Sequence, residues 1–303
     1  MKLKTVLIIS MLTLMVVSCK KYLDIVPDNI ATIENAFALR NEAEKYLFTC
    51  YSYIPYSASV YTNPGLSGGD ELHFVYPSQS GSAYEIARGN QNVTAPYMNF
   101  WEGERGATDL YGAIRDCNIF LQNVGRVPDL SEQERNRWIA EVKFLKAFYH
   151  FYLLRAYGPI PLVKENLPVD VNPELAKVYR DPVDDCVNYI VQLLDEAKAD
   201  LPLIIDDPVN QLGRITQPIA LTLKARVLAT AASPLFNGNT DYSNFKDNRG
   251  TLLLNTTFDP AKWEKAQAAC KEAIDLCHSI GMSLYKFEAT GTEGTLSDTT
   301  KLQ

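Results

Sequence analysis

Apolar residues recur at intervals of three and four along most of this chain, and the stripes they form predict six helices. Ala43, Leu47, Cys50 and Ile54 make the first, and Asn41 with Glu44 three residues on has the spacing of a capping box at its start. Ala107, Leu110, Ile114, Cys117, Leu121 and Val124 make the second. The third begins with Trp138, Val142, Leu145, Phe148 and Tyr152. Phe144, Phe151 and Leu154 widen its face enough to predict a central helix with neighbours on several sides. Ser131 with Glu134 caps it, and Gly158-Pro159 ends it.

The fourth helix carries Val183, Val187, Ile190, Val191, Leu194, Ala197 and Leu201 on one side. Asp181 is placed as its N-cap, Pro182 as its first residue and Pro202 as its close. A fifth, from about Pro218 to Leu235, is rich in alanine, which lets a neighbour approach closely. The sixth repeats the Asp-Pro start at Asp259-Pro260 and carries Trp263, Ala266, Cys270, Ala273, Ile274 and Cys277. Strand signals are sparse, so the fold class is all-α. Helix pairs suggest a tetratricopeptide-like solenoid. The connections Pro159 to Arg180 and Asn237 to Phe258 are too long for a fixed-period repeat, so the pairs carry long loop insertions or form a plain bundle.

The N-terminus has another character. Lys2 and Lys4 precede the apolar run Thr5 to Val17, and Ser18 stands before Cys19: a secretory signal with a core too short to span a bilayer. A cysteine after Val16-Val17-Ser18 fits a bacterial lipobox, which makes residues 1–18 a lipoprotein signal peptide and Cys19 the acylated mature N-terminus. The chain is then anchored to a membrane by its acyl groups. Losing Lys2 and Lys4 takes the formal charge of the 303-residue chain from −7 to −9. That acidity argues against nucleic acid and against a polybasic grip on lipid. Five cysteines remain: Cys50, Cys117, Cys186, Cys270 and Cys277. Their odd number and the lack of a C-x-x-C pair argue against disulfides and zinc, and their helical positions suit small buried hydrophobes.

Four ordered blocks resemble the SusD/RagB family of outer-membrane lipoproteins from Bacteroidetes. They are Cys19-Lys-Lys-Tyr-Leu-Asp24 with Pro27, Tyr111 to Leu121, Glu141 to Val163, and Gly213-Arg-Ile-Thr216 with Ala220 to Asn237. The resemblance implies a scaffold of tetratricopeptide-like helix pairs over residues 19–280. It implies a cell-surface protein that captures oligo- or polysaccharide and passes it to a SusC-like TonB-dependent transporter in the outer membrane. Family members are considerably longer, so residues 281–303 are expected to begin a C-terminal part that is cut short here.

Between the first two helices, residues 55–99 lack helical periodicity. Tyr56, Tyr61, Phe74, Tyr76, Tyr84 and Tyr97, followed by Phe100 and Trp101, alternate there with Ser, Gly, Asn and Gln, the mixture used by recognition loops. Sugars need ring faces to stack on and amides or charged groups for their hydroxyls. Asp70-Glu71-Leu-His73-Phe74-Val-Tyr76 resembles the family's loop in which an acidic pair precedes a sugar-stacking aromatic, although the family often has Trp there. The glycan candidates are therefore Phe74 and Tyr76 as platforms, with His73, Gln79, Tyr84 and Asn90 around them. Alternatively, most of these aromatics pin the loop to the helices, and Trp101 in particular is expected to be core.

No catalytic constellation stands out. His73, His150 and His278 are dispersed, and the motifs of serine hydrolases, zinc proteases and phosphate loops are missing, so neither an enzyme nor a cofactor is expected. A glycosidase pair such as Asp70 with Glu102 is not marked by its surroundings. The Asp/Asn spacing in Asp241 to Gly250 misses the EF-hand register, so no metal is expected. The alternative function is a helical scaffold lipoprotein that binds only protein.

Overall fold

The computed structural model describes residues 32–69, 72, 81–174 and 176–285. The signal peptide, Cys19 and residues 286–303 lie outside them. Nine α-helices follow one another among the described residues: α1 (Ile33–Ala36), α2 (Arg40–Ser52), α3 (Pro64–Ser67), α4 (Gly81–Ala87), α5 (Leu110–Asn123), α6 (Glu132–Tyr157), α7 (Val183–Lys198), α8 (Gln217–Ala232) and α9 (Ala261–Ser279). Two isolated β-bridges, Asn99 with Glu104 and Lys246 with Leu252, are the only extended pairings there. No described helix is long and apolar enough to cross a membrane.

Local chemistry sets the helix ends. Asp109 caps α5 by accepting from the Gly112 amide at 2.7 Å. A Cβ at Gly112 would lie 2.3 Å from that carboxylate, so only glycine lets it fold over the first turn. Ser131 caps α6 by accepting from the Glu134 amide, as the sequence predicts. Gly158 ends α6 at φ +72, where its lack of a side chain removes the strain.

Each long helix packs on the next, from α5 through α6, α7 and α8 to α9, and α2 lies against both α5 and α6. The result is the all-α, tetratricopeptide-like stack of helix pairs. The central helix is α6, buried on several sides through Trp138, Val142, Leu145, Tyr149, Phe151, Leu153 and Leu154. Burying a large apolar side chain of this kind contributes about 1.5–3 kcal/mol. The α7 stripe is also buried at Val183, Val187, Ile190, Leu194 and Ala197.

Glu141 sits inside this apolar body with no exposed side-chain surface. Its Oε2 accepts from Arg214 Nη2 at 2.8 Å, from Arg214 Nε at 3.2 Å and from the Tyr51 hydroxyl at 2.9 Å; its Oε1 accepts from Arg137 Nε at 3.0 Å. The Tyr51 oxygen in turn accepts from the Ile215 amide at 3.3 Å. One carboxylate therefore ties α2, α6 and the segment entering α8 together. Burial, and then the Glu141 charge, push the Tyr51 phenol far above its usual range.

Several sequence expectations are corrected. Leu39, not Asn41, precedes α2, and the Arg40 amide is taken by Asp129 from 89 residues away at 2.7 Å, while Glu44 pairs with Arg40 instead of closing a capping box. Ile54 lies past the end of α2 and is exposed. The carboxylate of Asp181 accepts from the Leu162 amide, and Pro182 takes the cap position of α7. Residues 55–99 contain the short helices α3 and α4. On α9, Trp263, Ile274 and Cys270 are exposed and Cys277 is half-buried, because the outer face of this last described helix carries no packed neighbour. Cys50, Cys117 and Cys186 are buried as expected.

Candidate functional site

The aromatic segment between α2 and α5 is held at two places, first by its own backbone and then against the stack. Backbone at Tyr61 holds the start of α4: a Cβ at Gly81, which has φ +55, would meet the Tyr61 carbonyl oxygen at 2.8 Å. The Ala83 amide donates to that same oxygen at 3.5 Å. Near this junction Tyr56 is 73% and Tyr61 46% exposed, so both present ring surface to solvent.

The second place is a hairpin-like turn at residues 98–105. Met98 N donates to Arg105 O, and Asn99 and Glu104 exchange backbone hydrogen bonds at 3.2 and 3.1 Å. Met98 and Arg105 take φ of +53 and +50, a conformation that costs a non-glycine residue energy and that clusters at functional sites. The turn abuts α4, since a Cβ at Gly106 would lie 2.8 Å from Ser82 Oγ. Phe100 and Trp101 point inward. The Phe100 ring is 4.7 Å from that of Tyr152, Trp101 is 4.8 Å from Tyr111 and 5.6 Å from Tyr157, and the Tyr157 hydroxyl accepts from the Phe100 amide at 2.9 Å. These two aromatics pin the turn to α5 and α6, and Trp101 packs half-buried against the core.

Tyr97 points elsewhere. The Arg105 guanidinium lies 3.8 Å from its ring centroid, and Arg105 Nη1 donates to Ala95 O at 2.7 Å. The Gln91 side chain holds the Tyr97 backbone from both sides, accepting from its amide at 2.7 Å and donating to its carbonyl at 3.0 Å. Exposed Asn90, Gln91, Asn92 and Thr94 surround the pair with amides and hydroxyls.

Of the sequence candidates, His73, Phe74, Tyr76 and Gln79 lie outside the described residues, as do Asp70 and Glu71. Tyr84 is 9% exposed on α4 and offers little ring face. Asn90 is exposed, and its amide donates to Glu85 at the end of the same helix. Glu102 accepts from Asn99 Nδ2 at 2.8 Å. The Arg105–Tyr97 stack was missed, because left-handed backbone at non-glycine residues leaves no compositional mark.

Two buried basic groups with strong perturbation lie away from this surface. Burial pushes the His150 imidazole down to about 4 and the Lys146 ammonium down to about 8, both between α6 and α7. Lys146 Nζ donates to Lys164 O at 2.6 Å, and His150 Nδ1 is bonded to Lys146 O at 2.7 Å. Among the described residues no three His, Cys, Asp or Glu side chains gather to hold a metal. The Asp247 carboxylate, in the loop with calcium-like spacing, binds Arg249 and the Thr251 amide instead. The arrangement suits binding by stacking and hydrogen bonding.

A SusD-like family model, described as starch-binding and associating with the outer membrane, matches residues 21–228. A SusD-like protein of Formosa agariphila is 23% identical over 236 residues, 75% of this chain and 43% of its own. Among solved structures, BT4246 superimposes with a TM-score of 0.72 at 33% identity, covering 82% of this chain and 42% of its own. A SusD-like protein from Bacteroides fragilis gives 0.60 at 21%, covering 86% and 41%. A laminarin-binding SusD-like protein gives 0.52 at 24%, covering 72% and 47%. The chain spans less than half the length of these relatives.

Proposed function

Because the chain belongs to the SusD-like family, we propose that it captures glycan at the bacterial surface, as a binding protein and not an enzyme, and delivers it to a SusC-like TonB-dependent transporter. The observation that carries this reading is the surface between α2 and α5. Exposed Tyr56 and Tyr61 and the stacked Tyr97 stand there beside a fringe of amides, at both ends of the segment holding Phe74, Tyr76, His73 and Gln79. The inward packing of Phe100 and Trp101 supplies a rigid floor, so ring faces are held without the entropy cost of ordering a free loop.

The test is a panel of soluble polysaccharides measured by calorimetry. The chain is expected to bind at least one, and Phe74→Ala or Tyr76→Ala is expected to weaken that binding by about 1–3 kcal/mol with the melting temperature unchanged. If both variants bind like the parent, those two rings are not the platform. Anchoring in the outer membrane through acylated Cys19 belongs to the same proposal. Cys19→Ala should abolish lipid labelling, and label that persists would remove the anchor from the reading.

A further inference from the structure

The proposed glycan surface carries a positive charge set out for an anion. Arg105 is exposed, yet its guanidinium is fixed at one face by the Tyr97 ring at 3.8 Å and at Nη1 by the Ala95 carbonyl. Among the described residues it forms no ion pair, and its side chain makes one hydrogen bond, to Ala95, which leaves its other N–H donors open. Arginine offers a planar fork that matches the oxygens of a carboxylate or sulfate, and one already held by stacking loses little freedom on pairing. Its backbone stands at φ +50, where asparagine or glycine would be at ease. The position therefore keeps arginine against its backbone preference. A formal charge of −7 makes long-range attraction of a polyanion unfavourable, so selection of one has to come from a local, pre-set contact of this kind.

We propose that Arg105, laid on Tyr97, is the specificity-determining contact of this surface and that the glycan it takes is acidic, bearing carboxylate or sulfate groups. The proposal rests on the glycan-binding reading above and narrows it. The next residue, Gly106, abuts Ser82 at the start of α4, which sets the Arg105 backbone against that helix.

The experiment measures binding of the full chain to polygalacturonate, dextran sulfate, amylopectin and laminarin, alongside Arg105→Asn. The parent is expected to bind an acidic probe, with affinity falling as salt rises. Preference between polygalacturonate and dextran sulfate separates carboxylate from sulfate. Arg105→Asn should keep or raise the melting temperature, because asparagine tolerates the backbone, while weakening the acidic probe by roughly ten- to a hundredfold. A parent that binds only the neutral glycans, or an Arg105→Asn variant that holds the acidic probe as well as the parent does, overturns the proposal and leaves glycan binding standing. A folded parent that binds none of the four overturns both.

Discussion

Glu141→Ala is expected to destabilise the helical stack by about 3–5 kcal/mol, the cost of breaking a buried ion pair and leaving its partners behind. The Arg214 side chain is 8% exposed and would lose its carboxylate, while Arg137 and the Tyr51 hydroxyl would lose theirs in the same step. Water has little access to compensate, because the site lies between α2, α6 and the entry to α8. Urea unfolding followed by the fluorescence of buried Trp138, three residues before Glu141 on α6, would read the loss directly. Removing the charges together should behave differently: Glu141→Leu with Arg214→Met takes away both ions and should recover much of the stability, since an apolar pair of similar volume has no desolvation penalty. A Glu141→Ala protein with the parent's urea midpoint would show that the network contributes nothing.

The second large effect is a loss of stability in acid centred on His150. Its Nδ1 faces a carbonyl oxygen and so carries the proton of the neutral ring, which leaves Nε2 as an acceptor, buried and without a hydrogen-bond partner. Protonation would place a second N–H and a charge there, next to the Lys146 ammonium and the edge of the Tyr189 ring. The unfolded chain binds this proton near the ordinary value of 6.5 and the folded chain only near 4. Between those values the unfolded state holds more protons, so stability falls as pH falls through the window and recovers as it rises. The full difference is about 3 kcal/mol, reached below pH 4. Glu134 and Glu196, held below the usual carboxylate range by hydrogen bonds from Arg40 and Lys143, add their own acid slope. Comparison with His150→Gln isolates the histidine. The variant should lose less stability between pH 7 and pH 4, and equal losses in the two proteins would rule His150 out.

The stack was legible where one physical signal dominates. Along α7 the apolar period alone placed Val183, Val187, Ile190, Leu194 and Ala197 in the core, and a wide apolar face identified α6 as central. Ser131 and Gly158 were readable because capping is a local event. The start of α2 was not, because the carboxylate that takes its first amide is Asp129, 89 residues on. Helices α3 and α4, of 4 and 7 residues, are too short to show a period. Trp263 and Ile274 fit the helical stripe of α9, but periodicity records which side of a helix is apolar and not whether anything covers it. At the candidate site composition marked the segment but not which way each ring faces, beyond the expectation, met in the structure, that Trp101 is core. Phe100 and Trp101 turn inward, Tyr84 is buried, and Arg105 escaped notice because its importance comes from a backbone angle and a neighbour eight residues away.

Packing each helix on its neighbour in sequence also shapes how the chain reaches this state. Contacts among α5 to α9 join helices adjacent in sequence, so their closure costs less entropy and comes earlier, whereas the Glu141 node joins residues 73 and 90 positions apart. Assembly should therefore run in order along the nascent chain, with the charged knot at Tyr51, Glu141 and Arg214 tightening last. Pulsed hydrogen exchange would register this as amides of α7 gaining protection before those at Ile215 and Thr216. A chain assembled in that sequence buries this charged node at the end, when the apolar helices around it are already in place to exclude water.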